Sequence, residues 1–318
     1  MRLFPERRLE DRLENHFLGE PIMSQSIFQP EFEKPNREAL ENSIAPTDFL
    51  SDFRDGVQET TALTRRLFIQ LIRRPSTLIA GLIQPLMWLI LFGALFQNAP
   101  EGFLGGEYQQ FLGAGVIVFT AFGGALNAGL PVMFDREFGF LNRLLMAPLV
   151  SRSSIVLASA IFIVSLSLLQ TVAIVITIAL LGSGLPNLSG MALILAIVSV
   201  LVLAVTSVSL ALAFTLKGHV ELIAVILLTN LPLLFASTAL APIAFMPTWL
   251  QWIALLNPLS YAIEPIRYVY SHSDWGIFSV VMAAPWGDVS IAGCIVLLLV
   301  FAGAMLVGVR PLLGRSLE

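Results

Sequence analysis

Two short stretches hold the polar residues whose types and spacing can do chemistry. Asp135, Arg136 and Glu137 open the stretch FDREFGFLNRLLMAPLVSRSS. Phe138, Leu141, Leu144 and Leu145 can form one apolar face there, Asn142 and Arg143 stay polar, and Pro148 ends the run. Such a connector either rests in lipid headgroups or docks as a lever against a protein that supplies work. In the second stretch, LNPLSYAIEPIRYV, Glu264 and Arg267 are three apart, a spacing at which opposite charges meet on a helix. Spacing alone lets the two form a salt bridge.

The rest of the chemical repertoire is thin. There is no G-x-x-x-x-G-K-[ST], and neither lysine follows a glycine, so the chain has no loop to cradle ATP phosphates. H-E-x-x-H, G-x-S-x-G and paired Cys/His ligand sets are missing as well. His16, His219 and His272 lie far apart, and Cys294 is the sole cysteine, which excludes an internal disulfide. These absences predict a protein that is not an enzyme and carries no cofactor or metal of its own. With a net charge of −4 and no basic domain, nucleic acid is not an expected partner.

What must position those stretches is a set of membrane helices. Hydrophobic residues make up 56% of the chain and charged ones 13%, against about 25% charged in soluble domains. From Ser76 onward the chain divides into six apolar stretches, Ser76–Phe96, Phe111–Phe134, Ser153–Leu181, Leu188–Leu216, Val220–Leu240 and Val289–Val309. Each is long enough to cross a bilayer as a helix. Of the eleven lysines and arginines after Leu63, ten flank these stretches on alternate sides and only Arg267 falls among the opposite connections. Positive charge stays cytoplasmic during insertion, so six spans with both termini in the cytoplasm follow. The span middles hold no Asp, Glu, Lys, Arg or His, which speaks against an ion-coupled carrier or a voltage sensor.

Residues 1–49 are charged, proline-bearing and aperiodic, and read as a mobile cytoplasmic tail without a cleavable signal peptide. Residues 50–75 carry Phe53, Val57, Leu63, Leu67 and Leu71 at helical spacing among arginines and acids, which predicts a helix in the headgroup layer broken at Pro75. The segment 241–288 is external, apolar and holds four of the five tryptophans. Leu250–Leu256 and Tyr261–Tyr270 are too short to span, so a re-entrant helical pair separated by Asn257-Pro258 is expected. Gly113, Gly115, Gly123, Gly124 and Gly129 crowd the second span and predict close helix packing. Gln84, Gln170, Thr171 and Asn230 are uncharged polar positions inside spans, either local helix adjustments or hydrogen-bonding points along a path. The sequon Asn187-Leu188-Ser189 is read as chance.

Three stretches together resemble the permease subunit of ABC-2 type transporters, closest to the antibiotic-resistance exporters of the daunorubicin type. They are LTRRLFIQLIRRPSTLIAGLIQPLMWLILFGALF, FDREFGFLNRLLMAPLVSRSSIVLAS and LNPLSYAIEPIRYV, in an order and spacing that covers Leu63 to Arg315. The resemblance implies an all-α fold for residues 76–318, a second permease copy in a homodimer, and two cytoplasmic ATPase subunits that bind the ATP and Mg. It places Arg65, Arg66 and Arg73 on the surface helix, and Asp135, Arg136, Glu137 and Arg143 in the inner loop, at the ATPase contact. Asn257, Pro258, Tyr261, Glu264 and Arg267 then belong to the external re-entrant gate. The expected activity is multidrug-type export of a drug-like or lipid-like molecule across the bacterial inner membrane. A polysaccharide or glycoconjugate exporter of the same superfamily, or a non-transporting assembly subunit, are the alternatives.

Overall fold

The computed structural model describes residues 49–95, 108–139, 153–285 and 287–317. The chain divides into two units, residues 1–48 and 49–318, and the described structure belongs to the second. The expected tail therefore lies outside the described residues apart from Phe49, as do Arg143 and the rest of residues 140–152.

Helix α1 (Phe49–Arg73) is amphipathic. Its apolar side packs on α5 (Ser153–Ile178), where Phe68 meets Phe162 edge-on at 5.4 Å. Pro75 ends α1 for the expected reason: it lacks an N–H and suits a first helical turn, so α2 (Pro75–Leu95) starts on it. Next come α3 (Tyr108–Leu126) and α4 (Gly129–Glu137), nearly continuous but broken at Asn127 and Ala128. The break is held by Ser209 of α6 (Leu188–Thr215), whose Oγ donates to the Leu126 carbonyl at 2.5 Å and accepts from the Gly129 N–H at 2.9 Å.

Between α5 and α6 the turn is as tight as its composition implies. Gly182 and Gly184 take φ of 98° and 74°, which side-chain-bearing residues avoid. Asn187 then caps α6, its Oδ1 accepting from Gly190 N–H at 2.7 Å, so the sequon asparagine serves as a helix cap. Helix α7 (His219–Phe235) follows, then α8 (Thr248–Leu256), α9 (Pro258–Ser271) and the long α10 (Ile291–Leu317).

Five segments are long and apolar enough to cross a membrane: Leu78–Leu95, Gln110–Glu137, Ser154–Gly182, Leu188–Thr215 and Ile291–Val309. Helix α7 has 17 residues and stops at Phe235, short of the expected Leu240. Beyond it the backbone turns, and its carbonyls are taken by side chains of Asn257 and Arg267.

One element differs from the all-α expectation. Val280–Ala284 (β1) and Gly287–Ser290 (β2) form an antiparallel hairpin, with Val280 opposite Ser290 and Ala284 opposite Gly287. The two valines favour extended backbone and Gly287, at φ 132°, permits the reversal. An apolar, aromatic segment read as dipping into lipid hides such a short hairpin, because its strands are too brief to show alternation.

Helix α3 is the centre of the bundle. Every residue from Phe111 to Val118 is buried, against α2, α5, α6 and α9. A Cβ on Gly113 would lie 2.6 Å from Ile178 Cδ1, and one on Gly115 would lie 2.5 Å from the Ala239 carbonyl oxygen. These glycines exist because neighbours touch the backbone itself. The outer faces of α2 and α7 are apolar and exposed, with Ile83, Met87 and Leu91 on one and Leu227, Leu228 and Leu231 on the other. That is the inverse of a soluble surface and suits a membrane.

Candidate functional site

At the end of α4 two consecutive residues clasp the turn between α6 and α7. Arg136 Nη1 donates to the carbonyls of Ala213 and Phe214, each at 2.9 Å, and Nη2 donates to those of Leu216 and, at 3.1 Å, Lys217. The last carbonyls of a helix have no internal partners and carry the negative end of its dipole, so a guanidinium satisfies both needs. Glu137 does the reverse for α7. Its Oε1 accepts from the His219 N–H and its Oε2 meets His219 Nδ1, both at 2.6 Å. A carboxylate only accepts, so the imidazole carries a proton on Nδ1 here. Phe134 lies 5.2 Å from the same imidazole, centroid to centroid. Within the turn, Glu221 accepts from Lys217 N–H at 3.0 Å, completing the cap.

Of the Asp135, Arg136 and Glu137 run, the last two grip backbone and side-chain partners within the chain. His219, which sequence reasoning did not connect with these residues, is Glu137's partner in the clasp. Only the three-dimensional path of the chain brings residues 77 to 82 positions apart together here.

Asp135 points elsewhere, into a cavity of about 220 Å³ at the junction of α1, α4 and α5. Leu63, Arg66, Leu67 and Gln70 line it from α1, Pro131, Val132 and Phe134 from α4, and Ile155, Ala158 and Ser159 from α5. Arg66 is close enough to act electrostatically on the Asp135 carboxylate. Arg65 and Arg73 are exposed on α1. The expected seven-residue cluster is thus divided: Arg136 and Glu137 at the clasp, Arg66 and Asp135 at the cavity, Arg65 and Arg73 on the surface, and Arg143 outside the described residues.

The second cluster surrounds the α8–α9 corner. Asn257, buried, caps α9 by accepting from Leu259 N–H at 3.0 Å, with Pro258 at the first helical position. Its Nδ2 donates to the Leu233 carbonyl at 2.8 Å and the Ala236 carbonyl at 2.7 Å, tying the corner to the end of α7. Tyr261 Oη closes the corner by donating to the Leu255 carbonyl at 2.6 Å. One to two turns further along α9, Arg267 Nη1 donates to Glu264 Oε1 at 2.5 Å, and both side chains are 13% exposed. Arg267 Nη2 also donates to the Thr238 carbonyl at 2.6 Å, and its guanidinium carbon lies 3.6 Å from the Phe111 ring centroid. The expected gate residues therefore fall into two groups, Asn257, Pro258 and Tyr261 at the corner and Glu264 with Arg267 further along α9. Each group is bonded to the segment at or just after the end of α7 or to the corner itself. Thr238 and Phe111, which sequence reasoning did not single out, complete the second group.

Of the uncharged polar positions, Gln170 and Thr171 are buried in the bundle and Gln84 is exposed on α2. Gln170 fills the space beside Gly81. Among the described residues no three of His, Cys, Asp and Glu gather as a metal site.

Residues 58–271 match the family model described as ABC-2 type transporter. The chain belongs to that family. It is 58% identical over 246 residues to a protein of Porphyra purpurea named as a transport permease, ycf38, covering 76% of this chain and 84% of the relative. The ycf38 protein of Cyanophora paradoxa is 52% identical over 247 residues, covering 77% and 85%. A Mycobacterium tuberculosis protein, named as the doxorubicin resistance ABC transporter permease DrrC, is 25% identical over 226 residues, covering 66% and 76%. The matched region includes the clasp, the cavity and the whole α8–α9 corner. Together with the apolar helices, membership makes this an integral membrane protein, and it implies association with ABC ATPase subunits.

Proposed function

We propose that this chain is the membrane-spanning subunit of an ATP-binding-cassette exporter that moves a hydrophobic or amphipathic molecule out of the cytoplasm. Two copies act with two separate ATPase subunits, which hold the ATP and Mg. The observation that carries this reading is the Arg136–Glu137 clasp. It ties the end of the second span to the end of α6 and the start of α7 through two hydrogen-bonded side chains, so a push on the loop that follows Gly139 reaches two further helices. The apolar, charge-free span interiors favour a drug-like or lipid-like cargo over a highly charged one.

In this proposal α7 makes the fifth of six crossings, with the turn after Phe235 completing its depth, and both termini are cytoplasmic. Arg65, Arg73 and Arg143 face the ATPase, while Arg136 and Glu137 relay its movement. Helices α8 and α9 form the external re-entrant pair, with Asn257, Pro258, Tyr261, Glu264 and Arg267 as its hinge and gate. The membrane is the bacterial inner membrane, which fractionation of the source cells tests.

Co-purification from native membranes, followed by ATP turnover and export measurements, tests the central claim. The wild-type chain is expected to bring down an ABC ATPase. The double variant R136Q/E137Q is expected to retain that partner and its ATP turnover yet lose most export. Wild-type export by this variant, or a chain that purifies without any ATPase, sinks the reading.

A further inference from the structure

The cavity between α1, α4 and α5 is not used by the clasp or by the α8–α9 corner, and its lining has a definite chemistry. At about 220 Å³ it is far larger than the roughly 10–15 Å³ that one water needs. Its walls include Leu63 and Leu67, and its polar groups are Arg66, Gln70, Asp135 and Ser159. Asp135 is half-buried and lines the cavity, with Arg66 near enough to act on its carboxylate. Arg66 brings a guanidinium fork, the side chain best shaped for phosphate oxygens. Ser159 spends its hydroxyl proton on the Ile155 carbonyl and keeps acceptor capacity toward the cavity.

One cation and one anion facing the same apolar-walled space sum to zero charge. A purely anionic ligand would suit Arg66 and be repelled by Asp135, and a purely cationic one would meet the opposite conflict. A zwitterion satisfies both. Helix α1 is amphipathic, the kind of helix that lies among lipid headgroups, and one side of the cavity is built from it. We propose that this cavity holds the headgroup of an ethanolamine phospholipid, its phosphate against Arg66 and its primary ammonium against Asp135. The ammonium donates to the carboxylate, and the acyl chains run out along the apolar wall. A choline headgroup has the same charges but no N–H, so the site discriminates between the two.

Native mass spectrometry of the detergent-solubilised full chain, offered equal amounts of phosphatidylethanolamine, phosphatidylcholine and phosphatidylglycerol, tests this. Wild-type protein should retain the ethanolamine lipid about tenfold over either competitor, the size of one charge-assisted hydrogen bond. D135N should reduce the ethanolamine lipid to the choline level, D135E should keep the preference, and R66Q should lower both zwitterionic lipids together. Equal retention of the three lipids by wild type, or a preference for the glycerol lipid, overturns the proposal. So does a folded D135N that keeps the ethanolamine preference. The wild-type comparison needs no variant, so it decides the matter even where D135N does not fold. No ATPase or exported molecule enters the measurement, which separates this result from that of the export reading.

Discussion

Asn257 shows how much one buried amide can hold. Its oxygen caps α9 while its nitrogen satisfies two carbonyls at the end of α7. Aspartate is as good a cap as asparagine, but it cannot donate. We therefore expect N257D to be destabilised more than N257A, because a carboxylate then faces two carbonyls. N257A itself should lose about 1–3 kcal/mol from the orphaned acceptors. Thermal unfolding of the purified protein checks the order, and a neutral N257D would reduce the residue to a simple cap. Glu264 and Arg267 raise a different question, since the geometry accommodates both a structural pair and a gate. Removing one partner of a buried pair costs about 3–5 kcal/mol, whereas replacing both by apolar groups is often near neutral. E264Q should thus lower the melting temperature sharply and E264L/R267M should recover part of the loss. Recovery of both stability and export marks the pair as structural. Recovery of stability with export still lost assigns it to gating.

Elements pack here by letting backbones touch, and the glycines of α3 and α4 are not equivalent. Gly115 and Gly129 meet the backbones of Ala239 and Ser209, while the nearest atom to a Cβ on Gly123 is Asn230 Nδ2 at 3.9 Å. G115A and G129A are each expected to cost roughly 1–3 kcal/mol by pushing away the backbone they face, and G123A to be tolerated. Melting temperatures of the three variants read this directly, and equal losses would contradict the packing account. The recurrence of small residues announced close approach, but not which glycines make it, because that depends on the facing helix. The hairpin β1–β2 teaches the same lesson from the other side. Its pairing was illegible because nine residues of mixed apolar character carry no clear period.

For the molecule as a whole, topology is the decisive measurement. Cys294 is the sole cysteine and is fully buried, so a C294A background allows single labels elsewhere. Lys217 and Ser273 are both exposed, and K217C and S273C should react with a membrane-impermeant maleimide from opposite faces. Labelling of both from one face would break the six-span reading. Sequence alone determined the membrane character, the amphipathic helix that stops before Pro75 and the two polar stretches, since each depends on local composition, spacing or a backbone restriction. It brought out Asn257-Pro258 as the break between two short helices and the Glu264–Arg267 pair, because a helix break and an i,i+3 contact are local. What Arg136 and Glu137 grip, what Asp135 faces and which carbonyl Arg267 reaches were decided only in the tertiary structure. Those partners lie 29 to 82 residues away along the chain. Hydrophobicity tells a helix that it must pack, but the choice of neighbour comes from the fit of whole faces, which no single stretch of sequence contains.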